Sequence, residues 1–327
     1  MGATSITDSD DSSPYLDIKS FDDLVSLAYN YPKSDEDNQD VFELYKIRKH
    51  LSKLKNMVGL DELKQQLVNQ ILYCIQDLHN DEMMHTALMG PPGVGKTSVA
   101  HILADIYKAL GFVKKGKLIV VGREDLVGQY LGETAIKTRC VLEAAIGNVL
   151  FIDEAYSLGN SGSGDSFSKE CIDTITKFIG ENTKNFICII AGYEKQLQEC
   201  FFGSNPGLDR RFPWKYTLNN YKPVQLASMY VNMVKNKGWR IKTPQKTREL
   251  ITSIFDENKE YFQNNGGDVQ NFINSCKMAH GRRVFGGGRN AYKKYINVYD
   301  IKQGFEIYRI SKKGQLPNKS PLMHMYL

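Results

Sequence analysis

Short apolar runs alternate with amphipathic stretches through the middle of the chain. The runs cover residues 87–89, 118–121, 149–152 and 186–190, and a shorter one lies at 214–218. Continuous apolar runs of this length are typical of strands buried on both faces, as in a parallel sheet. The stretches between them repeat apolar residues every three or four positions, which is the spacing of helices that pack on a sheet. The pattern therefore predicts an α/β fold with a buried parallel sheet.

The N-terminal region carries helical patterning. Residues 1–15 are rich in Ser, Asp and Thr and are expected to be disordered. Ser20 and the acidic residues after it predict a helix start, residues 32–40 form a polar linker, and residues 41–56 place apolar side chains on one helical side. Asp61 is expected to cap a further helix. For the role of this region, a packing arm is favoured over a docking or self-association element.

The pattern from residue 219 onward predicts helices only. Pro223, Pro244 and Asp268 mark three helix starts, and residues 300–310 fit a last helix. These changes divide the chain into an acidic N-terminal extension, an α/β core, a small helical domain and a short tail. Their predicted limits are 1–56, 57–218, 219–312 and 313–327.

The composition is that of an ordinary globular protein, with 42% hydrophobic and 24% charged residues. No apolar run approaches the ~20 residues of a membrane span, and the acidic N-terminus lacks the apolar stretch of a signal peptide. The six cysteines include no C-x-x-C pair, and the six histidines show no ligand-like spacing. We therefore expect an intracellular, cytoplasmic protein with reduced thiols, no membrane span and no structural zinc site.

The net charge of +5 conceals an uneven distribution. Residues 1–40 hold ten Asp or Glu and two Lys, whereas the chain after Ser275 holds eleven Lys or Arg and two acids. A basic C-terminal third is compatible with binding nucleic acid or an acidic partner. The alternative is a solvated helical surface plus nucleotide-facing arginines, which we favour because no aromatic–basic platform or recognised nucleic-acid motif accompanies the charge.

Residues 90–97 (GPPGVGKT) form a complete P-loop, G-x-x-x-x-G-K-[ST]. Its glycines allow backbone N–H groups to turn toward a phosphate, and the following helix directs its positive end at the same anion. Lys96 is expected to reach the β- and γ-phosphates, and the Thr97 hydroxyl to bind Mg²⁺. The predicted nucleotide-binding residues here are Pro91, Pro92, Gly93, Val94, Gly95, Lys96, Thr97 and Ser98.

The second chemical element is the apolar run 149–152, which ends in Asp153 and Glu154. Carboxylates at the end of a buried strand lie in the crevice where a phosphate loop also lies. We expect Asp153 to hold the Mg²⁺ shell and Glu154 to act as the general base that polarises the attacking water. Asp153 follows Lys96 by 57 residues, with one strand and one helix between them, which strengthens the assignment.

These segments together resemble an AAA+ ATPase over residues 57–311. The sequence MVGLDELK at 57–64 resembles the segment that wraps the adenine in this superfamily, which implies that Gly59 contacts the nucleotide. GPPGVGKTS and VLFIDEA match its two nucleotide motifs. The sequences VGQYLGETAIKT, IIAGYEKQL and SNPGLDRRF are similar to the CbbX/SpoVK branch, which includes red-type rubisco activases. The stretch 266–286 is also similar to AAA proteins of large DNA viruses.

The resemblance implies a three-layer αβα P-loop core with a small helical lid. It also implies ATP hydrolysis with Mg²⁺ in a homo-oligomeric ring, expected to be a hexamer, with each ATP site between two subunits. Arg210 and Arg211 would lie at that boundary, and one would be the arginine finger that neutralises transition-state charge. Arg211 matches the branch pattern better because it directly precedes the apolar Phe212. The alternative is two surface arginines in a loop.

Tyr130 and Leu131, in the sequence QYLG, match the pore-loop position that grips a threaded polypeptide in this family. An aromatic side chain offers a large contact that tolerates any sequence. The implied function is remodelling of a protein substrate, and the alternative for Tyr130 is packing at a helix end. Two rival functions are a clamp-loader-like or initiator-like factor acting on nucleic acid, and a nucleotide-gated scaffold. The Asp153–Glu154 pair disfavours the scaffold.

Two positions depart from the family pattern. Sensor 1, after the 186–190 strand, is often Asn or Thr, and the nearest candidate here is Tyr193. Sensor 2 is usually an arginine at the start of the third lid helix, where this chain has none. Gln270 could hydrogen-bond a phosphate there, and Arg282 or Arg283 could supply charge. The departure predicts weaker coupling between lid and core.

Overall fold

The computed structural model describes residues 18–30, 38–78, 82–130, 132–159, 165–285 and 293–313. The predicted disorder of residues 1–15 lies outside these ranges, as do most of the 32–40 linker and the tail from residue 314.

A five-stranded sheet, parallel throughout, forms the centre of the core. The strands are β1 (Thr86–Met89), β2 (Leu118–Val121), β3 (Val149–Ile152), β4 (Ile187–Gly192) and β5 (Trp214–Thr217). Their order across the sheet is β2-β3-β4-β1-β5. All five apolar runs therefore became strands, with ends displaced by two residues at most, and the predicted fold class is confirmed.

Alternate strand residues enter two hydrophobic cores because successive side chains point to opposite faces. Leu88 packs with the first group of helices, whereas Ala87 and Met89 pack with the second. The first group is α1 (Phe21–Asn30), α2 (Gln39–Lys55), α3 (Asp61–Ile75) and α4 (Lys96–Ala109). The second includes α5 (Arg123–Leu126), α6 (Glu133–Ala144) and α7 (Ser166–Glu181). The result is a three-layer αβα core.

Helices α1 and α2 pack into the same hydrophobic core as α3 and α4. Leu24, Ile47 and Leu51 are fully buried there. Lys55 on α2 pairs with Asp22 on α1 at 2.8 Å. This part of the N-terminal extension is therefore a packing arm, as favoured from the sequence.

The starts of two N-terminal helices illustrate one confirmed and one wrong prediction. Ser20 Oγ accepts the Asp23 N–H at 3.2 Å, and Asp23 Oδ2 accepts the Ser20 N–H at 2.8 Å, which is the predicted reciprocal cap of α1. Asp61 does not cap α3, because it is already the first helical residue. Leu60 holds the cap position instead, with φ of 61° and no capping side chain.

Between β4 and β5 the chain forms short helical pieces that the sequence analysis did not predict. They are α8 (Glu194–Gln196), a π-helical turn (Leu197–Phe202) and α9 (Pro206–Asp209). Phe201, Phe202 and Leu208 anchor them to the second hydrophobic core.

The lid follows the core and has its own hydrophobic cluster. It contains α10 (Pro223–Asn236), α11 (Pro244–Glu257), α12 (Gly266–Val284) and α13 (Val298–Lys312). The expectation of helices only is wrong, because β6 (Arg240–Ile241) and β7 (Tyr295–Ile296) pair in a small parallel sheet. Two-residue strands carry too little periodicity to be recognised in a sequence.

Within the described ranges, every helix is too short or too polar to cross a membrane. All six cysteines are free, in agreement with the expectation of reduced thiols, and Cys74, Cys171, Cys188 and Cys276 are buried.

Candidate active site

The P-loop and the end of β3 open into one cavity of about 960 Å³ between the core and the lid. Strand β1 leads directly into the P-loop, and β3 leads into Asp153 and Glu154. Because both strands are parallel, their carboxyl ends lie at the same edge of the sheet. The predicted residues that line the cavity are Pro92, Gly93, Val94, Gly95, Lys96, Thr97, Ser98, Asp153 and Glu154.

Two P-loop positions require glycine because another backbone segment lies too close for a side chain. Gly90 has φ of 155°, and a Cβ there would lie 2.3 Å from the Leu218 carbonyl oxygen. Gly93 has φ of 72°, and a Cβ there would lie 2.1 Å from the Asn264 carbonyl oxygen. Any side chain would therefore displace either β5 or the lid from the loop.

Lys96 extends back along the P-loop. Its Nζ donates to the carbonyl oxygens of Gly90 and Pro91 at 2.8 and 3.0 Å. Burial lowers the pKa of Lys96, whereas the carboxylates of Asp153 and Glu154 oppose that shift. The side chain is thus held near both carboxylates, with its donors aimed at the loop that would surround a phosphate.

Asp153 and Glu154 face the cavity from a tight turn. Glu154 adopts a left-handed conformation with φ of 49°, and its N–H donates to Asp153 Oδ1 at 3.0 Å. Asp153 is half-buried and Glu154 is exposed to the cavity. The Thr97 hydroxyl and the Asp153 carboxylate line the same space, and hard oxygen donors of this kind suit Mg²⁺.

Two tyrosines border the carboxylate side of the cavity. Tyr193 lies where sensor 1 was expected, with Lys96 Nζ 5.6 Å from the centre of its ring. The rings of Tyr156 and Tyr193 are 5.7 Å apart. Burial, followed by the charge of Glu154, raises the pKa of Tyr156 to about 12. Its hydroxyl therefore stays protonated at neutral pH.

Two predicted residues lie beside the cavity lining. Pro91 contributes its carbonyl oxygen to Lys96. Gly59 follows the lining residue Val58, and a Cβ on Gly59 would lie 2.9 Å from the Gln225 side chain of α10. A nucleotide contact by either residue stays a prediction.

The lid contributes residues that the sequence analysis did not assign to the site. Helix α10 lines the cavity with Met229, Asn232, Met233 and Asn236. Tyr221, Gly266 and Gly267 complete this side. Met229 and Met233 are spaced for one face of a helix, but the sequence alone does not show that this face reaches the P-loop.

The residues considered as substitutes for sensor 2 lie in other surroundings. The Gln270 side chain hydrogen-bonds Lys237 and Asn274 and is absent from the cavity lining. Arg283 makes a two-pronged ion pair with the buried Asp300 at 2.7 and 2.9 Å. Arg282 is exposed on the same helix and is also absent from the lining. The structure therefore does not bring any of the three residues to the cavity.

The two candidate finger arginines differ in their surroundings. Arg210 is exposed, whereas Arg211 is half-buried and donates from Nη1 to the Gly207 carbonyl oxygen at 2.8 Å. Arg211 Nε is buried without a hydrogen-bond partner among the described residues. Burial, followed by the charge of Arg211, lowers the pKa of His85 to about 3. Arg211 thus packs against the core of its own chain.

Tyr130 projects from a loop ordered by Glu133. Glu133 Oε2 accepts the N–H groups of Gln129 and Tyr130, both at 3.2 Å. The Tyr130 side chain is 70% exposed, so it does not pack at a helix end. Leu131, the other predicted pore-loop residue, lies outside the described residues.

Several basic side chains of the C-terminal third are engaged within the lid. Arg283 pairs with Asp300, Arg309 with Glu306, and Lys312 with Asp268. These pairs agree with the interpretation of an ordinary helical surface.

The sequence profile of the ATPase family associated with various cellular activities (AAA) matches residues 86–200. A cfxQ-like protein of Acanthamoeba polyphaga mimivirus is 37% identical over 281 residues, covering 85% of this chain and 69% of that protein. Stage V sporulation protein K of Bacillus subtilis is 32% identical, with coverage of 75% and 77%. The chloroplastic ribulose bisphosphate carboxylase/oxygenase activase of Cyanidioschyzon merolae is 30% identical, with coverage of 77% and 82%. The resemblance to the CbbX/SpoVK branch is confirmed.

The fold is also similar to that of solved structures. The FIGL-1 AAA domain in complex with ADP superposes with a TM-score of 0.57 at 18% identity, covering 78% of this chain and 83% of that one. A RuvB mutant from Thermotoga maritima gives a TM-score of 0.55 at 19% identity, with coverage of 80% and 74%. Both support the P-loop core with its helical lid.

Proposed function

The chain belongs to the AAA ATPase family, in the group that includes CfxQ-like proteins and stage V sporulation protein K, and from that premise we propose a ring-forming ATPase that remodels a protein substrate. AAA ATPases bind and hydrolyse nucleotide. The observation that carries the proposal is the convergence of an ammonium, a hydroxyl and two carboxylates on one cavity. These groups belong to Lys96, Thr97, Asp153 and Glu154.

The nucleotide is ATP in this proposal, bound with Mg²⁺. The P-loop amides and Lys96 hold the β- and γ-phosphates, and Met57, Val58 and Met229 offer an apolar wall to the base. Thr97 and Asp153 would hold the Mg²⁺, which would supply positive charge to the phosphates. Glu154 orients the attacking water and accepts its proton.

The ring places each cavity beside a neighbouring subunit. Arg211 acts as the arginine finger in this proposal, which requires it to exchange its bond to the Gly207 carbonyl for a neighbour's phosphate. The exposed Arg210 stands next to it. AAA ATPases commonly form oligomers, and the hexamer is the expected ring.

The substrate is a protein chain gripped by Tyr130. The 70% exposure of this tyrosine and the ordering of its backbone by Glu133 support the assignment. A fixed, exposed aromatic ring contacts any extended polypeptide without requiring a particular sequence.

The test is steady-state ATPase activity at increasing protein concentration, alone, with a reduced and carboxymethylated protein that stays unfolded, and with single-stranded DNA. We expect turnover to rise with concentration and the unfolded protein to stimulate it. Tyr130→Ala should keep the basal activity and lose the stimulation, while Tyr29→Ala, at a 50% exposed tyrosine on α1, keeps both. Stimulation by DNA alone would favour the nucleic-acid factor. Equal stimulation of Tyr130→Ala and wild type would refute the pore-loop role.

A further inference from the structure

Three consecutive P-loop carbonyl groups bond to the lid and to the segment that joins it to the core. The Pro92 oxygen accepts from Asn265 Nδ2 at 3.2 Å, and the Gly93 oxygen accepts from the Gly266 N–H at 3.0 Å. The Val94 oxygen accepts from the Tyr221 hydroxyl at 2.7 Å. Each donor is a neutral group.

Asn265 is the centre of this contact. It is 2% exposed and lies directly before α12. Its Oδ1 accepts the Tyr221 N–H at 3.1 Å, and its Nδ2 also donates to Asn220 Oδ1 at 2.9 Å. One side chain therefore joins the P-loop, the connection between β5 and α10, and the start of α12.

The backbone at Asn265 shows that this position is held by its surroundings. Its φ is 48° and its ψ is −118°, a combination that non-glycine residues rarely adopt. Such a conformation persists where neighbouring contacts over-determine it. The contacts present here include the hydrogen bonds that the Asn265 side chain makes.

The direction of the P-loop carbonyls gives this contact a functional consequence. A P-loop binds phosphate by turning its N–H groups inward, which leaves carbonyl groups directed outward. Val94 is buried, and a buried carbonyl without a partner is costly. The partners of the outward groups therefore influence whether the inward arrangement is stable. Here those partners belong to the lid and its connection. Movement of the lid and the shape of the phosphate cradle are therefore linked.

We propose that Asn265 is a positioning residue that couples the lid to the P-loop through neutral hydrogen bonds, with Gly266 and Tyr221 as its partners. This coupling takes the place of the missing sensor 2 arginine, and it rests on the proposed binding of ATP in the same cavity. Gly267, at the start of α12, lines that cavity without a side chain. The lid thus senses the nucleotide through the loop that holds it rather than by a charge on the γ-phosphate.

The test uses Asn265→Gly, because glycine removes the side chain and accepts the positive φ without strain. Asn264→Ala is the matched control, since Asn264 is the exposed neighbour. ADP binding is measured by calorimetry, and hydrogen exchange is followed in the P-loop and in residues 219–222 and 265–268. We expect ADP to slow exchange in both regions of wild type and of the control. In Asn265→Gly, the affinity for ADP should fall about tenfold, and ADP should slow hydrogen exchange in the P-loop only.

Two further variants keep the proposal testable if Asn265→Gly does not fold. Asn265→Asp retains the acceptor for Tyr221 but loses the bond to Pro92, so it should also lose lid protection. Tyr221→Phe removes one hydroxyl and should weaken ADP binding about threefold. A merely structural role would lower stability without changing which segments ADP protects. If ADP slowed hydrogen exchange in the lid connection of every variant, the proposed coupling would be overturned. If wild type bound neither ADP nor ATP, the proposed function itself would be overturned.

Discussion

The core and the lid border the same cavity, but they bring different chemistry to it. The core brings charged and ionisable groups, whereas the lid brings backbone, amide side chains and methionines. The core groups belong to Lys96, Asp153 and Glu154, and the lid groups to Met229, Asn232, Met233, Asn236, Gly266 and Gly267. Charges act on a phosphate over several ångströms, whereas neutral hydrogen bonds act only at contact.

Several charged groups of the lid are engaged away from the cavity. Asp300 is held by Arg283, and Lys312 pairs with Asp268 at 2.8 Å within the lid. These pairs stabilise the lid and leave its cavity face neutral. On the proposed function, catalysis would reside in the core, whereas the proposed coupling depends on close contact between lid and P-loop.

The largest expected effect comes from two variants that each lack one proposed catalytic group. They are measured alone and as a mixture. Glu154→Gln should lower turnover by about 10²- to 10⁴-fold, because it removes the general base. Arg211→Ala should lower it by about 10³-fold or more, because it removes positive charge from the transition state. In an equal mixture, about a quarter of the boundaries would join an intact Glu154 to an intact Arg211, and activity should recover accordingly. The measurement is turnover of each variant alone and of the mixture.

The control for this mixing experiment uses the Arg210→Ala variant in place of the Arg211→Ala variant. That variant should be active alone if Arg211 is the finger. A mixture no more active than its components would show that Glu154 and Arg211 do not meet across a boundary, and an inactive Arg210→Ala would transfer the role to Arg210.

An intermediate effect concerns stability at acid pH, where core and lid should differ. Burial, followed by the charge of Arg211, lowers the pKa of His85 in the core to about 3 from the ordinary 6.5. Below pH 6.5 the unfolded chain therefore binds a proton that the folded core rejects. The free energy of unfolding should fall by up to about 1.4 kcal/mol per pH unit from pH 6.5 toward pH 3.

The Asp300 carboxylate in the lid should respond only at lower pH. Burial alone would raise the pKa of Asp300, but hydrogen bonds from Arg283, the Asn297 backbone and His280 lower it below 3.8 overall. The stability that this carboxylate contributes is thus present above pH 3.8 and is lost only below it.

The measurement for the pH prediction is denaturant unfolding at pH 7, 6 and 5, followed by the fluorescence of Trp214 in the core and Trp239 in the lid. His85→Asn should flatten the dependence of the core, because an amide oxygen can still accept the Cys188 N–H without titrating. Identical pH slopes for His85→Asn and wild type would show that His85 is not the responsible group.

The smallest effect is expected at Gln270. Its side chain bonds Lys237 and Asn274 away from the cavity, so Gln270→Ala should change ADP affinity and turnover by about twofold at most. Calorimetry and steady-state kinetics on this variant provide the check. A tenfold loss of ADP affinity or turnover would mean that Gln270 turns toward the phosphates in another conformation. That result would weaken the contrast between a charged core and a neutral lid that acts by contact.

Much of the core could be predicted from the sequence because neighbouring residues encode each strand and the P-loop. The strands at 118–121 and 149–152 were predicted with their observed ends, since each is a continuous apolar run with a polar exit. The P-loop spacing likewise placed Lys96 and Thr97 at the start of α4. The cap of α3 was mispredicted, because the left-handed turn at Leu60 depends on its surroundings rather than on a side chain that favours it.

The sequence by itself determined the parallel αβα core, the phosphate loop and the acidic pair at the end of β3. Periodicity and short motifs encode these features within a few neighbouring residues. Only the tertiary structure decided which neutral groups meet the P-loop from the lid. Asn265 lies 173 residues after Pro92, and no local pattern distinguishes it from Asn264. Contact between such distant positions depends on how two separately packed domains fit together.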